Sequence, residues 1–374
     1  MSLEALDPAL QAAAVGEPAP GFVAMVSFAD GPHYLRPFGR RSIERSEPMT
    51  ADTVFWIASC TKLVTSIVAL QLVEAGELDL DQPVGSVLPS FADLPILDGF
   101  DQAGAPKLRP APDAPSIRHL LTHTSGLGYA FMDAELARFA ELNKVGPGEG
   151  HTLPRRFKAG ARWQYGASTD WLGQVIEAIR GQDLASIFAR NVFEPLGMTD
   201  TCFAPDSRLS ARLAAMHARA ADGKVARIDF ALTPPPNPNL GGGGLYSTAP
   251  DFMRLLRALL DGQILRKDSR APLFSNQIGD LGAGVLASSM AALTNPFDPM
   301  PGVAKRWSLG MMINLERGPD GRPPGSASWA GLPNCYYWLD PTNGLAAILM
   351  AQVLPFADGK ILNLLSAFER AVYA

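Results

Sequence analysis

Cysteine is nearly absent from this chain: Cys60, Cys202 and Cys335 are the three in 374 residues. Three scattered thiols cannot form a disulfide framework, and their spacing is not that of a metal site. Reduced cysteines and a cytoplasmic location are therefore expected. Charge is sparse as well. Charged side chains make up 18% of residues and sum to a net charge of -5 with no long single-sign run, which excludes the basic surface that nucleic-acid binding needs. No run of 18 apolar residues exists, since even the stretch from Leu63 to Val73 is cut by Thr65, Ser66 and Gln71, so no membrane span is expected. Residues 1–20 carry no Lys or Arg ahead of their apolar positions, unlike a secretory signal.

Other familiar chemistries are missing too. Of five histidines, His119 and His123 are four apart, but no acidic residue lies between them and Thr124-Ser125-Gly126 ends any helix there, so neither a metal nor a cofactor is expected. No serine stands in a Gly-x-Ser-x-Gly elbow, which argues against an α/β-hydrolase. Gly241 to Gly244 lack a following Lys-Ser or Lys-Thr, so they are not a phosphate loop and are expected to allow a tight backbone path.

What remains is 47% hydrophobic residues, enough for a sizeable core, distributed in readable patterns. Apolar runs between Pro20 and Arg40, broken at Asp30-Gly31-Pro32, suggest a hairpin and a sheet edge opening the chain. From Ser59 to Ala75 apolar residues nearly surround the helix axis and Gly76 caps it, so this helix is expected to be buried. Helical periodicity follows at 116–122, 133–142, 168–179 and 184–192. The run Thr233-Pro-Pro-Pro-Asn-Pro-Asn239 marks a return crossing. A helix at 249–260, strands near 307–315, 335–339 and 346–352, and a last helix at 360–373 complete the reading. Short turns such as Pro341-Thr-Asn-Gly344 imply antiparallel pairing. The expected fold class is thus α/β (α+β): an antiparallel sheet flanked by helices, residues 1–82 and 232–374, with an inserted mostly helical domain, residues 83–231, and a cleft between them.

The segment Trp56-Ile-Ala-Ser59-Cys-Thr-Lys62 places a hydroxyl and an amine three residues apart on one helix face. Serine is a poor nucleophile until a base takes its proton. A lysine can be that base only where its ammonium form is disfavoured, as burial among Phe55, Trp56, Val64 and Ile67 would do. The alternative for Ser59 is a plain helix N-cap.

Four segments in order, Ser59-Cys-Thr-Lys62, Leu120-Leu-Thr-His-Thr-Ser-Gly126, Gly160-Ala-Arg-Trp-Gln-Tyr165 and Gly241-Gly-Gly-Gly-Leu-Tyr-Ser-Thr248, make the chain resemble the class C β-lactamase and penicillin-binding-protein superfamily, whose signature is Ser-x-x-Lys. The resemblance implies a β-lactamase/transpeptidase-like fold. It also implies Ser59 as nucleophile, Lys62 and Tyr165 as its proton acceptors, and the Ser59 and Leu332 amides as oxyanion hole, worth about 3 kcal/mol each.

The departures matter as much. Where that superfamily places Asn two residues after the tyrosine, Ala167 stands here, beside Ser168. Where it has Lys-Thr-Gly or His-x-Gly, this chain has Trp329-Ala330-Gly331, so a substrate carboxylate would lose both its cation and its hydroxyl. Trp-x-Gly resembles the family VIII carboxylesterases. The expectation is a carboxylesterase acting on small neutral esters, with Trp329, Ala330, Gly331, Ala167 and Ser168 against substrate. Tyr129, Phe131, Trp307 and Trp329 as pocket walls would favour short acyl groups. Amide hydrolysis, as by a β-lactamase or D-amino-acid peptidase, and acyl transfer to an alcohol are the alternatives.

Overall fold

A computed structural model describes residues 6–29, 33–146, 149–230 and 240–374. The Asp30-Gly31-Pro32 turn and the 233–239 crossing lie outside the described residues.

Seven antiparallel strands form the main sheet: β1 (Gly21–Phe28), β2 (Tyr34–Gly39), β3 (Lys305–Trp307), β4 (Met312–Asn314), β5 (Ala327–Gly331), β6 (Cys335–Asp340) and β7 (Leu345–Met350). Their order across the sheet is β2-β1-β7-β6-β5-β4-β3. The chain's first and last thirds thus meet at β1–β7, where Val26 faces Ala347. Every residue of β6 and β7 is buried, so this sheet is covered on both faces. The alternation of side chains shows how: Tyr337 meets Phe252 of helix Ala249–Leu260 with ring centroids 5.3 Å apart, while its neighbour Trp338 meets Phe368 of helix Gly359–Tyr373 at 5.4 Å.

Expectations for the start of the chain and for 307–315 need correction. A helix, α1 (Leu6–Ala14), precedes the sheet edge. It buries Leu6 and Leu10 and packs against the C-terminal helix, a partner too distant in sequence to be foreseen. The strand read over 307–315 is two strands, β3 and β4, because Ser308 to Met311 fold into a tight turn closed by the Ser308 amide on the Met311 carbonyl at 2.8 Å.

The buried helix is α2 (Thr61–Glu74), preceded by a single 3-10 turn, Ala58–Cys60. Eleven of its fourteen residues are buried, which explains why apolar side chains surround it. Gly76, at φ +72°, ends it as expected. Between 83 and 231 the helices are joined by two hairpins, Ile96–Phe100 with Pro106–Arg109 and His217–Arg219 with Val225–Arg227. Here α3 (Ala134–Asn143) and α4 (Ser168–Arg180) flank the site. Helix 184–192 is shorter than its periodicity predicts, since Leu184–Phe188 widens into a π turn at Ala189–Phe193. One continuous hydrophobic cluster joins Leu63 and Ile67 of α2 to Trp171 and Leu172 of α4 and to the sheet.

Candidate active site

The turn before α2 is held from three sides. Gln352 brackets Trp56, accepting from its amide at 3.3 Å and donating to its carbonyl at 2.9 Å. The Ile57 amide donates to Leu245 O at 3.0 Å, and the Trp56 indole N–H donates to Gly243 O at 2.8 Å. Between these anchors Ala58 takes φ +44°, an unfavourable conformation for alanine, directly before Ser59. No side-chain capping bond is made at this helix start, so Ser59 is not spent as an N-cap.

Lys62 is 2% exposed, and its Nζ lies 3.2 Å from Ser59 Oγ. It also donates to Tyr129 OH at 3.1 Å and to Gly242 O at 2.6 Å. Tyr129 OH in turn donates to Asp170 Oδ2 at 3.1 Å, and Asp170 Oδ1 accepts from the Gly242 amide at 2.8 Å. Burial, reinforced by the Asp170 charge, pushes the Tyr129 phenol well above its ordinary range, so it stays protonated. A Cβ at position 242 would lie 2.6 Å from Asp170 Oδ1, so a side chain there would push this carboxylate away.

Tyr165 stands across the Lys62 amine, which lies 4.8 Å from its ring centroid. Its hydroxyl accepts from the Trp329 indole N–H at 3.0 Å. Behind Tyr165 sits His123, 2% exposed, with ring centroids 4.9 Å apart. Burial first, and the Lys62 charge second, hold this imidazole well below its usual pKa, so it is neutral. His123 adopts φ +55° past the end of helix Ile117–Leu121, while His119 Nδ1 lies 2.9 Å from Ser116 Oγ at the helix start, so the two rings do not share a helix face. Among the described residues no three metal-ligating side chains cluster. The backbone of this turn lies against the Tyr165 segment: a Cβ on Gly166 would meet Leu127 O at 2.5 Å, and Gln164 N donates to His123 O at 2.9 Å.

Strand β5 closes the site. A Cβ on Gly331 would collide with the Ile57 carbonyl oxygen, so only glycine lets the strand lie against the turn carrying Ser59 and bring Leu332 beside it. Neither the Ser59 nor the Leu332 amide is engaged by a backbone acceptor among the described residues. Cys60 and Cys335 are buried here and free. Burial raises both thiols, Cys335 to about 12, which keeps them protonated and unreactive.

A cavity of about 1010 Å³ opens from Ser59 between β5, α3 and the 286–297 segment. Apolar side chains such as Phe131, Ala137, Leu153, Leu293, Phe297 and Phe356 dominate its wall, with Arg138, Glu141 and Lys144 along α3. Of the residues expected there, Ser59, Tyr165, Trp329, Ala330, Gly331 and Leu332 line it, as do Tyr129 and Phe131. Three expectations fall elsewhere. Ala167 is fully buried, Ser168 points inward to Ser125 Oγ at 2.9 Å, and Trp307 packs behind Trp329 with ring centroids 4.6 Å apart, so none of the three is among the lining residues. For Ala167 and Ser168 the reason is the entry to α4, where these two residues are directed into the core. Asp170, two residues on, faces the site instead; its polar position in the first turn of a helix was the available signal. Tyr129 was read as a wall and is also a hydrogen-bond partner of Lys62.

The family profile described as Beta-lactamase matches residues 9–369. The chain is 35% identical to monacolin J acid methylbutanoyltransferase of Aspergillus terreus, an alignment covering 95% of this chain and 92% of that one. It is 31% identical to lovastatin esterase of Penicillium rubens, covering 91% and 90%. Among solved structures, unliganded simvastatin synthase of Aspergillus terreus superposes with a TM-score of 0.87 at 31% identity, covering 100% of this chain and 99% of that one.

Proposed function

This chain belongs to the beta-lactamase family and is an enzyme of the serine hydrolase and acyltransferase type, and on that premise we propose that it transfers an acyl group from an ester-type donor to an alcohol through Ser59. Hydrolysis of the same acyl-enzyme is the second reading. The transferase reading replaces small-ester hydrolysis as the leading one, because relatives covered over nine-tenths of their length are named for acyl transfer as well as for ester cleavage. The observation that carries it is the Ser59–Lys62 pair at 3.2 Å beside an apolar cavity of about 1010 Å³, far more room than a short acyl group fills.

In this mechanism Ser59 Oγ attacks the donor carbonyl while its proton passes to Lys62 and Tyr165. The Ser59 and Leu332 amides hold the oxyanion, each worth about 3 kcal/mol. The donor's C–O bond breaks and its alkoxide leaves with that proton. An alcohol in the cavity gives its own proton back to the same base and attacks the acyl-Ser59 ester, regenerating the serine hydroxyl. An apolar wall disfavours water at that carbonyl and leaves the acceptor alcohol the better-placed nucleophile. The Trp329 indole replaces a cation, which suits neutral groups at the acyl site, in the manner of family VIII esterases. We place the enzyme in the cytoplasm on its three free cysteines, and read a sheet domain (1–82, 232–374) and a helical domain (83–231) meeting at this cleft. No helix among the described residues is long and apolar enough to cross a membrane.

The test is product partition. Purified enzyme receives a p-nitrophenyl acyl donor with and without a bulky apolar alcohol, beside a chromogenic cephalosporin, and products are separated by mass spectrometry. A new ester that appears only with the alcohol and vanishes in Ser59→Ala is expected. Free acid alone would leave the esterase reading. Dominant cephalosporin turnover would make it a lactamase.

A further inference from the structure

Among the described residues the Lys62 amine has three polar neighbours within hydrogen-bond distance: Ser59 Oγ at 3.2 Å, Tyr129 OH at 3.1 Å and Gly242 O at 2.6 Å. A neutral amine has two hydrogens and one lone pair. To serve as a base it must aim the lone pair at the Ser59 hydroxyl, and therefore both hydrogens at the other two neighbours. The Gly242 carbonyl can only accept, so one hydrogen is assigned. Tyr129 OH is ambiguous, since a phenol both donates and accepts. If its hydrogen turned toward Lys62 it would occupy the lone pair that Ser59 needs.

We propose that Asp170 is a positioning residue that resolves this ambiguity. Resting on the Ser59 reading above, it holds the Tyr129 hydrogen on its own carboxylate and, with the Gly242 peptide, leaves Ser59 as the one neighbour facing the Lys62 lone pair. The geometry is a closed ring. Asp170 Oδ2 accepts from Tyr129 OH at 3.1 Å and Oδ1 from Gly242 N at 2.8 Å, while the two groups that Asp170 holds are those that accept from Lys62. An ionised carboxylate can only accept, so the direction of every hydrogen in the ring follows from Asp170 alone. Burial, with the Asp170 charge, raises the Tyr129 phenol well above its ordinary range, which keeps it protonated and able to fill this role.

Asp170 also brings a negative charge within two successive hydrogen bonds of the amine. The other titratable groups facing Lys62 are Tyr165 across the cleft, Tyr129, the His123 imidazole behind Tyr165 and the Cys60 thiol on the preceding turn. His123 is kept neutral and Cys60 protonated by burial, so neither supplies a compensating charge. Loss of the Asp170 charge disfavours the protonated form of the centre.

The experiment measures acyl-donor turnover from pH 5 to 10 for wild type, Asp170→Asn, Tyr129→Phe and the double variant, with Ser59→Ala alongside. Asp170→Asn is expected to lower kcat by about tenfold or more with KM nearly unchanged, and to move the acidic limb of the profile down. Tyr129→Phe also removes the group Asp170 orients, so the double variant should be little worse than the poorer single one. An acidic limb that stays in place in Asp170→Asn, or losses that multiply in the double variant, would overturn the proposal. Circular dichroism checks that each variant is folded, and if Asp170→Asn does not fold, the pH profile of Tyr129→Phe decides, an unshifted limb with unchanged kcat overturning the role. Should Ser59→Ala retain turnover, the Ser59 reading itself fails, an outcome separate from either result for Asp170.

Discussion

Replacing Gly331 by alanine tests how close strand β5 must lie to the nucleophile. The added methyl would collide with the Ile57 carbonyl oxygen and lie 3.1 Å from its carbonyl carbon, both rigid backbone atoms of the turn leading to Ser59. Alanine can adopt this strand's conformation, so the cost comes from contact alone. Relief requires β5 or the turn to retreat by roughly 1 Å, a misplacement that costs about 10²-fold in rate. That misplacement acts through the Leu332 amide, and it is in line with the roughly 10²- to 10³-fold loss of kcat that removing one oxyanion donor costs. We expect kcat to fall by about 10²-fold, or roughly 2.7 kcal/mol, while overpacking destabilises the fold by only about 1–3 kcal/mol. The assay is kcat at 25 °C, with thermal unfolding followed in parallel to show that the variant is folded at that temperature. Gly359→Ala is the control: no atom lies within 4 Å of its added Cβ at the start of the C-terminal helix, so activity should be unchanged and stability equal or higher by up to about 1 kcal/mol. A folded Gly331→Ala enzyme with more than half the wild-type kcat would refute the argument that this contact sets the oxyanion site.

Trp329→Phe removes the indole N–H from a buried Tyr165 hydroxyl and should lower kcat by about 5- to 30-fold, the equivalent of about 1–2 kcal/mol, with little change in melting temperature. Ala137→Phe narrows the cavity beside α3, so it should slow octanoyl more than butyryl p-nitrophenyl ester cleavage; an equal effect on both would show that acyl groups do not reach this wall. Burial holds His119, His123 and His217 below their usual pKa, so the unfolded chain binds protons that the folded one refuses. Stability conferred by that difference is present above an unfolded pKa of about 6.5 and is lost as pH falls below it, so the melting temperature should drop from pH 7 to pH 5. A His123→Asn protein should show a shallower drop, and an unchanged slope would remove His123 from the account.

Much of this was legible beforehand for a physical reason. Ser59 and Lys62 are three residues apart, and helical geometry brings such residues to one face whatever the rest of the chain does. The all-round apolar pattern of 63–73 demanded a buried helix, and the glycines at 241–244 signalled a tight backbone path, found here against the Asp170 carboxylate. Elements whose partners are remote were not legible: α1 depends on the C-terminal helix, and the break at Ser308–Met311 interrupts an otherwise strand-like run.

The residues of the site divide in the same way. By itself the sequence determined that the Ser59 hydroxyl and the Lys62 amine share one helix face, that no cation stands at Trp329 and that Gly241 to Gly244 allow a tight backbone path, because each depends on residue type or on local spacing. Only the tertiary structure decided that Tyr129, 67 residues from Lys62, and the Gly242 carbonyl, 180 residues away, would both receive the amine's hydrogens. It likewise turned Ser168 inward and Asp170 toward the cleft. Such contacts depend on how separate elements pack against one another, and no local periodicity encodes that arrangement.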